Sequence, residues 1–299
     1  MTTVAAPPRP GVRRIALPGG DLTLSALLAE PVGPPRATVL AVHGGGTSAG
    51  YFHGQAHPDL SLLTLGADLG YAVLAVDRPG YGDSAAAAPG GRSLAEQGAD
   101  LHAAVARYAR EHAVGAGVFL LAHSFGGKLA LTYAAEPAPA GAPPLLGLDV
   151  SGLGRDYAVD PDLLNTAPQK AHWRRNWGAL RYYPPNTFRD ADAMVRPMPP
   201  RERAEAAQWP GRFADLAARV RVPVRLTFAE VELWWRHDDG ELAELAAQFA
   251  AAPAVSVHRQ RDAGHNISLG WTARAYHLQA LSFFEECLAG RAASAAAGG

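Results

Sequence analysis

The sequence predicts an α/β fold, a mostly parallel eight-stranded sheet with helices on both faces and a helical cap inserted after the sixth strand. Three observations predict it. Short β-branched or Leu-rich runs alternate with segments of helical period, which is the pattern of a parallel sheet covered on both sides. Between Gly152 and Val222 that alternation stops for about seventy residues, with many prolines and no convincing strand, too long for a plain connection in a compact domain. The chain has 299 residues, 48% of them hydrophobic, enough to bury a substantial single core.

Taken in order, the strand-like runs fall at 12–18, 22–30, 37–43, 71–77, 117–122, 144–150, 222–229 and 254–260. Helical spacing marks 93–112, where Leu94, Leu101, Val105 and Tyr108 share one face, and then 125–138, 241–252 and 271–288. Residues 1–152 and 222–290 therefore form the expected core, with 153–221 as the cap. The Ala- and Gly-biased end, 291–299, offers no apolar face and is expected to fray. Trp173, Trp177 and Trp209 of the cap are half of the six tryptophans, and Trp234 and Trp235 follow the next strand. Such a density of aromatics either walls an apolar pocket or seats the cap on the core.

Charge and cysteine usage exclude several classes of function. The formal net charge is −1 and no block of one sign occurs, so neither a nucleic acid nor a membrane surface is expected as a partner. Cys287 is the only cysteine, which excludes an intrachain disulfide and suits a reducing compartment. The N-terminal stretch MTTVAAPPRPGVRR has prolines and arginines where a secretory signal needs apolar residues, and no later run is long enough to span a bilayer. A soluble, cytoplasmic protein is the expectation.

Four loops carry the chemistry. In LLAHSFGGKLAL (120–131) a strand meets a helix through Ala122-His123-Ser124-Phe125-Gly126, and small residues two positions either side of Ser124 suit a nucleophile elbow of the G-x-S-x-G type. His43-Gly44-Gly45-Gly46 follows a strand, and glycines there let backbone N–H groups turn toward a developing oxyanion; the phosphate-loop spacings are absent. RDAGHNISLG places His265 between the last strand and the last helix, in the order that a Ser…acid…His arrangement requires. VPVRLTFAEVELWW ends in acids, of which Glu232 is preferred as the carboxylate that orients the histidine, with Glu230, Asp149 and Asp238 as alternatives. His53 and His57, in FHGQAH, lack acidic or cysteine partners at supporting spacing, so no metal is expected.

HGGG, AVDRPGYGDS (75–84), AHSFGG and DAGHN, in that order and spacing, resemble the α/β-hydrolase fold serine hydrolases over about residues 12–290. The resemblance implies Ser124 as nucleophile, His265 as general base, Glu232 as acid, and the N–H groups of Phe125 and Gly45 as oxyanion donors. Ala122 departs from the first elbow glycine, and Glu232 stands where aspartate is usual. Haloalkane dehalogenases and epoxide hydrolases of this fold carry an aspartate at the elbow, so Ser124 implies acyl chemistry through a covalent ester. The expected function is cleavage or transfer of the acyl group of a small hydrophobic ester, thioester or lactone, without a cofactor. A carbon–carbon bond hydrolase with the same triad and a non-catalytic ligand binder are the alternatives. Gly44, Gly46, Trp173, Trp177 and Trp234 are the expected substrate contacts.

The cap holds 12 Lys and Arg against 8 Asp and Glu, in a chain that is otherwise acidic. A solvated helical surface with local ion pairs is one reading. The other is that Arg174, Arg175 and Arg181, interleaved with Trp173 and Trp177, draw in an anionic substrate, a coenzyme A thioester or the arm of an acyl carrier protein.

Overall fold

A computed structural model describes residues 11–166, 169–189 and 195–297. Eight strands form one sheet: β1 (Arg13–Gly19), β2 (Leu22–Ala29), β3 (Thr38–Val42), β4 (Ala72–Val76), β5 (Val118–His123), β6 (Leu145–Ser151), β7 (Val224–Val231) and β8 (Val255–Gly264). Their order is β1-β2-β4-β3-β5-β6-β7-β8. β2 runs antiparallel to both β1 and β4, and β3 to β8 are parallel, with Leu40 in register with both Leu74 and Leu120. Every residue of β3, β4 and β5 is buried, as expected of strands covered on both faces.

Each predicted strand lies on an observed one, and the four predicted helices are present. The helix over 93–112 is observed as Leu94–Glu111, its start fixed by a capping box in which Ser93 and Glu96 each accept the other's backbone N–H. The segment after Ser124 forms Phe125–Ala135. The helix expected at 241–252 occupies Asp239–Ala247, because the Asp238 carboxylate caps it by accepting from Glu241 N at 3.0 Å. Leu62–Asp68, capped by Ser61, is a short helix that the apolar run LLTLGAD hid from a period count.

One expectation is corrected. The end of the chain, 291–299, was expected to fray, yet the last helix begins at Ala273 and continues to Ala297. Alanine is the strongest helix former, so the segment extends a helix already nucleated on the core without needing an apolar face of its own. Among the described residues no helix is long and apolar enough to cross a membrane.

Among the described residues the α-helices, in chain order, are α1 (Leu62–Asp68), α2 (Leu94–Glu111), α3 (Phe125–Ala135), α4 (Leu163–Thr166), α5 (Trp173–Trp177), α6 (Pro200–Ala206), α7 (Trp209–Arg219), α8 (Asp239–Ala247) and α9 (Ala273–Ala297). Four of them, α4 to α7, lie in the insertion between β6 and β7, which has no strand among its described residues. Its second half is packed into the core: Trp209 and Phe213 are buried in the main hydrophobic cluster, Phe213 meets Phe249 edge-on, and Trp209 Nε1 donates to Gly154 O, just past β6, at 2.9 Å. The parallel strands all end at one edge of the sheet, and the loops that leave β3, β5, β7 and β8 there carry the four motifs. Ligands of open parallel sheets bind outside those carboxyl ends.

Candidate active site

The site is built around a turn with no spare residue. β5 ends at His123, α3 starts at Phe125, and Ser124 alone joins them with φ 52° and ψ −117°. A non-glycine residue in such a conformation carries strain of about 1–3 kcal/mol and persists only where its surroundings enforce it. Here they do. Ser124 N donates to Ser151 O at 2.8 Å, and a Cβ at Gly126 would stand 2.2 Å from Val42 O, so the helix approaches β3 too closely for any other residue there. Ala122 sits fully buried within β5, where its methyl group fits the core.

From this turn the Ser124 hydroxyl lies 3.0 Å from His265 Nε2, and His265 Nδ1 lies 2.7 Å from Glu232 Oε2. Because the carboxylate can only accept, Nδ1 carries the proton and Nε2 is left to accept from the serine. Trp234 N donates to the other Glu232 oxygen at 2.9 Å, which fixes the carboxylate in place. A register irregularity between Ala229 and Val231 redirects the end of β7 just before Glu232. The alternative acids are occupied elsewhere. Glu230 is exposed and accepts from Asp262 N at 2.7 Å, Asp149 is buried in a pair with Arg225 and accepts from Tyr276 Oη at 2.8 Å, and Asp238 caps α8.

His123, beside the serine, stacks on Tyr51 with ring centroids 4.6 Å apart and lies 4.7 Å from the His265 ring. Burial, with the nearby His265 second, holds it well below the usual histidine range, so it is a neutral neighbour of the triad.

Gly45 and Phe125 both line the cavity, and neither backbone amide has an acceptor among the described residues. Gly46 N, in contrast, donates to Tyr81 Oη at 3.0 Å. The loop is held from behind. Arg78 N donates to His43 Nε2 at 3.1 Å, which leaves His43 Nδ1–H to donate to Gly44 O at 2.8 Å. The Arg78 guanidinium donates to His43 O at 2.9 Å and to Gly44 O at 3.0 Å, and pairs with the buried Glu202 of α6. Neither Arg78 nor Glu202 was singled out from the sequence, because their partnership spans the core and the insertion and has no local spacing.

Ser124 and His265 open into a cavity of about 640 Å³. All five expected substrate contacts, Gly44, Gly46, Trp173, Trp177 and Trp234, line it. Trp173 is 44% exposed at its edge, whereas Trp177 is buried. The Met198 side chain reaches over Gly45, and a Cβ on that glycine would meet it. Of the expected steering residues, Arg174, Arg175 and Arg181 do not line the cavity; among the described residues the Lys and Arg side chains that do are Lys128 and Arg203. Lys128 went unremarked in the sequence, although a lone charge in the apolar run FGGKLAL was the signal. His53 and His57, outside the site, bond to Ser61 Oγ and Asp59 N.

The comparisons agree with this architecture. Residues 39–275 match the model of the Alpha/beta hydrolase family, and the chain belongs to that family. A carboxyl esterase from Bacillus coagulans superposes with a TM-score of 0.67 at 18% identity, over 93% of this chain and 99% of the esterase. A soluble variant of a Saccharomyces cerevisiae monoglyceride lipase gives 0.67 at 14% identity, over 96% and 98% of the two chains. An N-acyl homoserine lactonase gives 0.63 at 16% identity, over 93% and 98%. No match is found among curated proteins. At these identities the likeness establishes a hydrolase fold and leaves the substrate to the site itself.

Proposed function

We propose that the protein is a serine hydrolase that cleaves, or transfers the acyl group of, a small hydrophobic ester, thioester or lactone through an acyl-enzyme on Ser124. One observation carries this reading: the Ser124, His265 and Glu232 side chains form a continuous hydrogen-bonded relay that opens into an aromatic-walled cavity. Ser124 Oγ attacks the carbonyl carbon while His265 Nε2 takes its proton. The oxyanion is met by the N–H groups of Gly45 and Phe125, the latter at the positive end of α3. His265 then protonates the leaving group, and water or an alcohol, deprotonated in turn by His265, releases the acyl group. Glu232 holds the imidazole tautomer and stabilises the imidazolium. The esterase and lactonase among the structural neighbours support the ester and lactone part of this reading. A cytoplasmic setting is proposed on the single, half-buried Cys287.

The test is intact mass after treatment with a fluorophosphonate, for wild type and Ser124→Ala, together with turnover of short-chain nitrophenyl esters. One adduct on wild type, none on the variant, and a loss of kcat on the order of 10⁶ are expected. A Ser124→Ala protein that kept a tenth of the activity would overturn the assignment, and failure of the wild type to label or turn over would favour a non-catalytic binder.

A further inference from the structure

Lys128 is the most unusual residue in the cavity. It lies one helical turn after Ser124 on α3 and borders the cavity, yet it is only 2% exposed. Its ammonium donates to Tyr157 Oη at 2.7 Å and is ringed by Phe125, Tyr157, Trp209 and Trp235, whose centroids lie 5.1 to 5.5 Å away. No carboxylate contacts it among the described residues. The nearby acids are committed: Glu202 to Arg78 and Tyr81, and Glu205 to Leu94 N and Arg212. The other charged groups facing it, Arg78 and Arg212, are cations. An ammonium in this position is costly unless something compensates it. The aromatic faces compensate it in part, and burial leaves it poised at about pH 7. A methionine would fill the same space without that penalty, so stability alone gives no reason for a lysine. Arg203, half-exposed and without an ion pair among the described residues, borders the same cavity.

We infer that Lys128 receives a carboxylate at the far end of the acyl chain, so that the preferred substrates are half-esters or half-thioesters of small dicarboxylic acids. The inference rests on the serine hydrolase reading above and specifies its substrate. The acyl side is chosen on geometry: His265 protonates the leaving group and so faces it, whereas Lys128 contacts Phe125, whose N–H is an oxyanion donor. Phe125, Met198 and Trp235 line the same cavity and offer apolar surface to a methylene chain. The carboxylate supplies the counter-charge that the pocket lacks, and in a dry aromatic surround such a charge-assisted hydrogen bond discriminates strongly against an uncharged chain end.

The experiment compares kcat/KM for succinyl, glutaryl and adipyl mono-nitrophenyl esters with the neutral butyryl, pentanoyl and hexanoyl esters, in wild type and Lys128→Met. At least one half-ester should exceed the neutral ester of matching length by tenfold or more in wild type, and that ratio should fall at least tenfold in the variant. A ratio below one for all three pairs, or one that Lys128→Met leaves intact, overturns the inference while turnover of the neutral esters leaves the serine hydrolase reading standing. A second measurement does not depend on turnover. Glutarate should quench tryptophan fluorescence of the wild type saturably, with a Kd at least tenfold weaker in Lys128→Met; equal binding in the two proteins overturns the assignment even if neither is catalytic.

Discussion

At the scale of single residues, Glu232 and Glu230 make a controlled comparison, since both leave the end of β7 and only Glu232 reaches His265. Glu232→Gln can no longer enforce the Nδ1–H tautomer and should lower kcat on the order of 10⁴-fold, whereas Glu230→Gln, whose partner is the exposed Asp262 amide, should stay within about twofold of wild type. Steady-state kinetics on a nitrophenyl ester read both. Lys128 supports a different measurement. In the unfolded chain its amine titrates near 10.5, and in the folded protein near 7. Between those values the unfolded chain holds the extra proton, so this residue makes stability climb as pH rises through the window and imposes its full penalty below it. Lys128→Met should therefore raise Tm by a few degrees at pH 6, and the gain should shrink toward pH 10; thermal melts across that range read it.

At the scale of elements, the loops matter more than the strands that carry them. The HGGG loop holds its shape because Arg78, from the end of β4, grips two of its carbonyls and is itself gripped by Glu202 of α6. Glu202→Gln leaves a buried guanidinium without its counter-charge, and should destabilise the fold by about 3–5 kcal/mol, lower Tm by several degrees and reduce kcat of the protein that remains folded. Calorimetry with kinetics below the transition tests it, and unchanged kcat would detach this pair from the proposed role of the HGGG loop. The strands, Ser124, His265 and the glycines could be read from the sequence because each is encoded locally, by period two, by a strand-to-helix turn or by chain order. The acid was harder, since four carboxylates satisfied the order and only the fold of β7 and β8 shows which one meets the imidazole. Lys128, Arg78 and Glu202 were invisible because their significance lies in what surrounds them. The C-terminal tail misled for the opposite reason: its composition lacks an apolar face, but a helix already started needs none.

At the scale of the whole molecule, the charge segregation between insertion and core resolves into two populations. Arg155, Arg201, Arg212 and Arg219 pair with nearby acids, while Arg174, Arg175, Arg181 and Arg203 form no ion pair among the described residues. Of the unpaired set only Arg203 lines the cavity, and Arg175 lies over the ring of Trp234, which also lines it. Unpaired cations beside a binding cavity accelerate the arrival of anions, an effect that salt screens. Arg174→Ala/Arg175→Ala should lower kcat/KM for a coenzyme A thioester several-fold at low ionic strength and leave a neutral ester unaffected, with the difference vanishing at high salt. The Arg78–Glu202 pair has a consequence at this scale as well. It fastens α6, and with it the wall that carries Met198 and Arg203, to the floor of the molecule. A buried ion pair is costly to break, so this wall and the HGGG loop beneath it are tied to one another and should loosen together when the pair is removed.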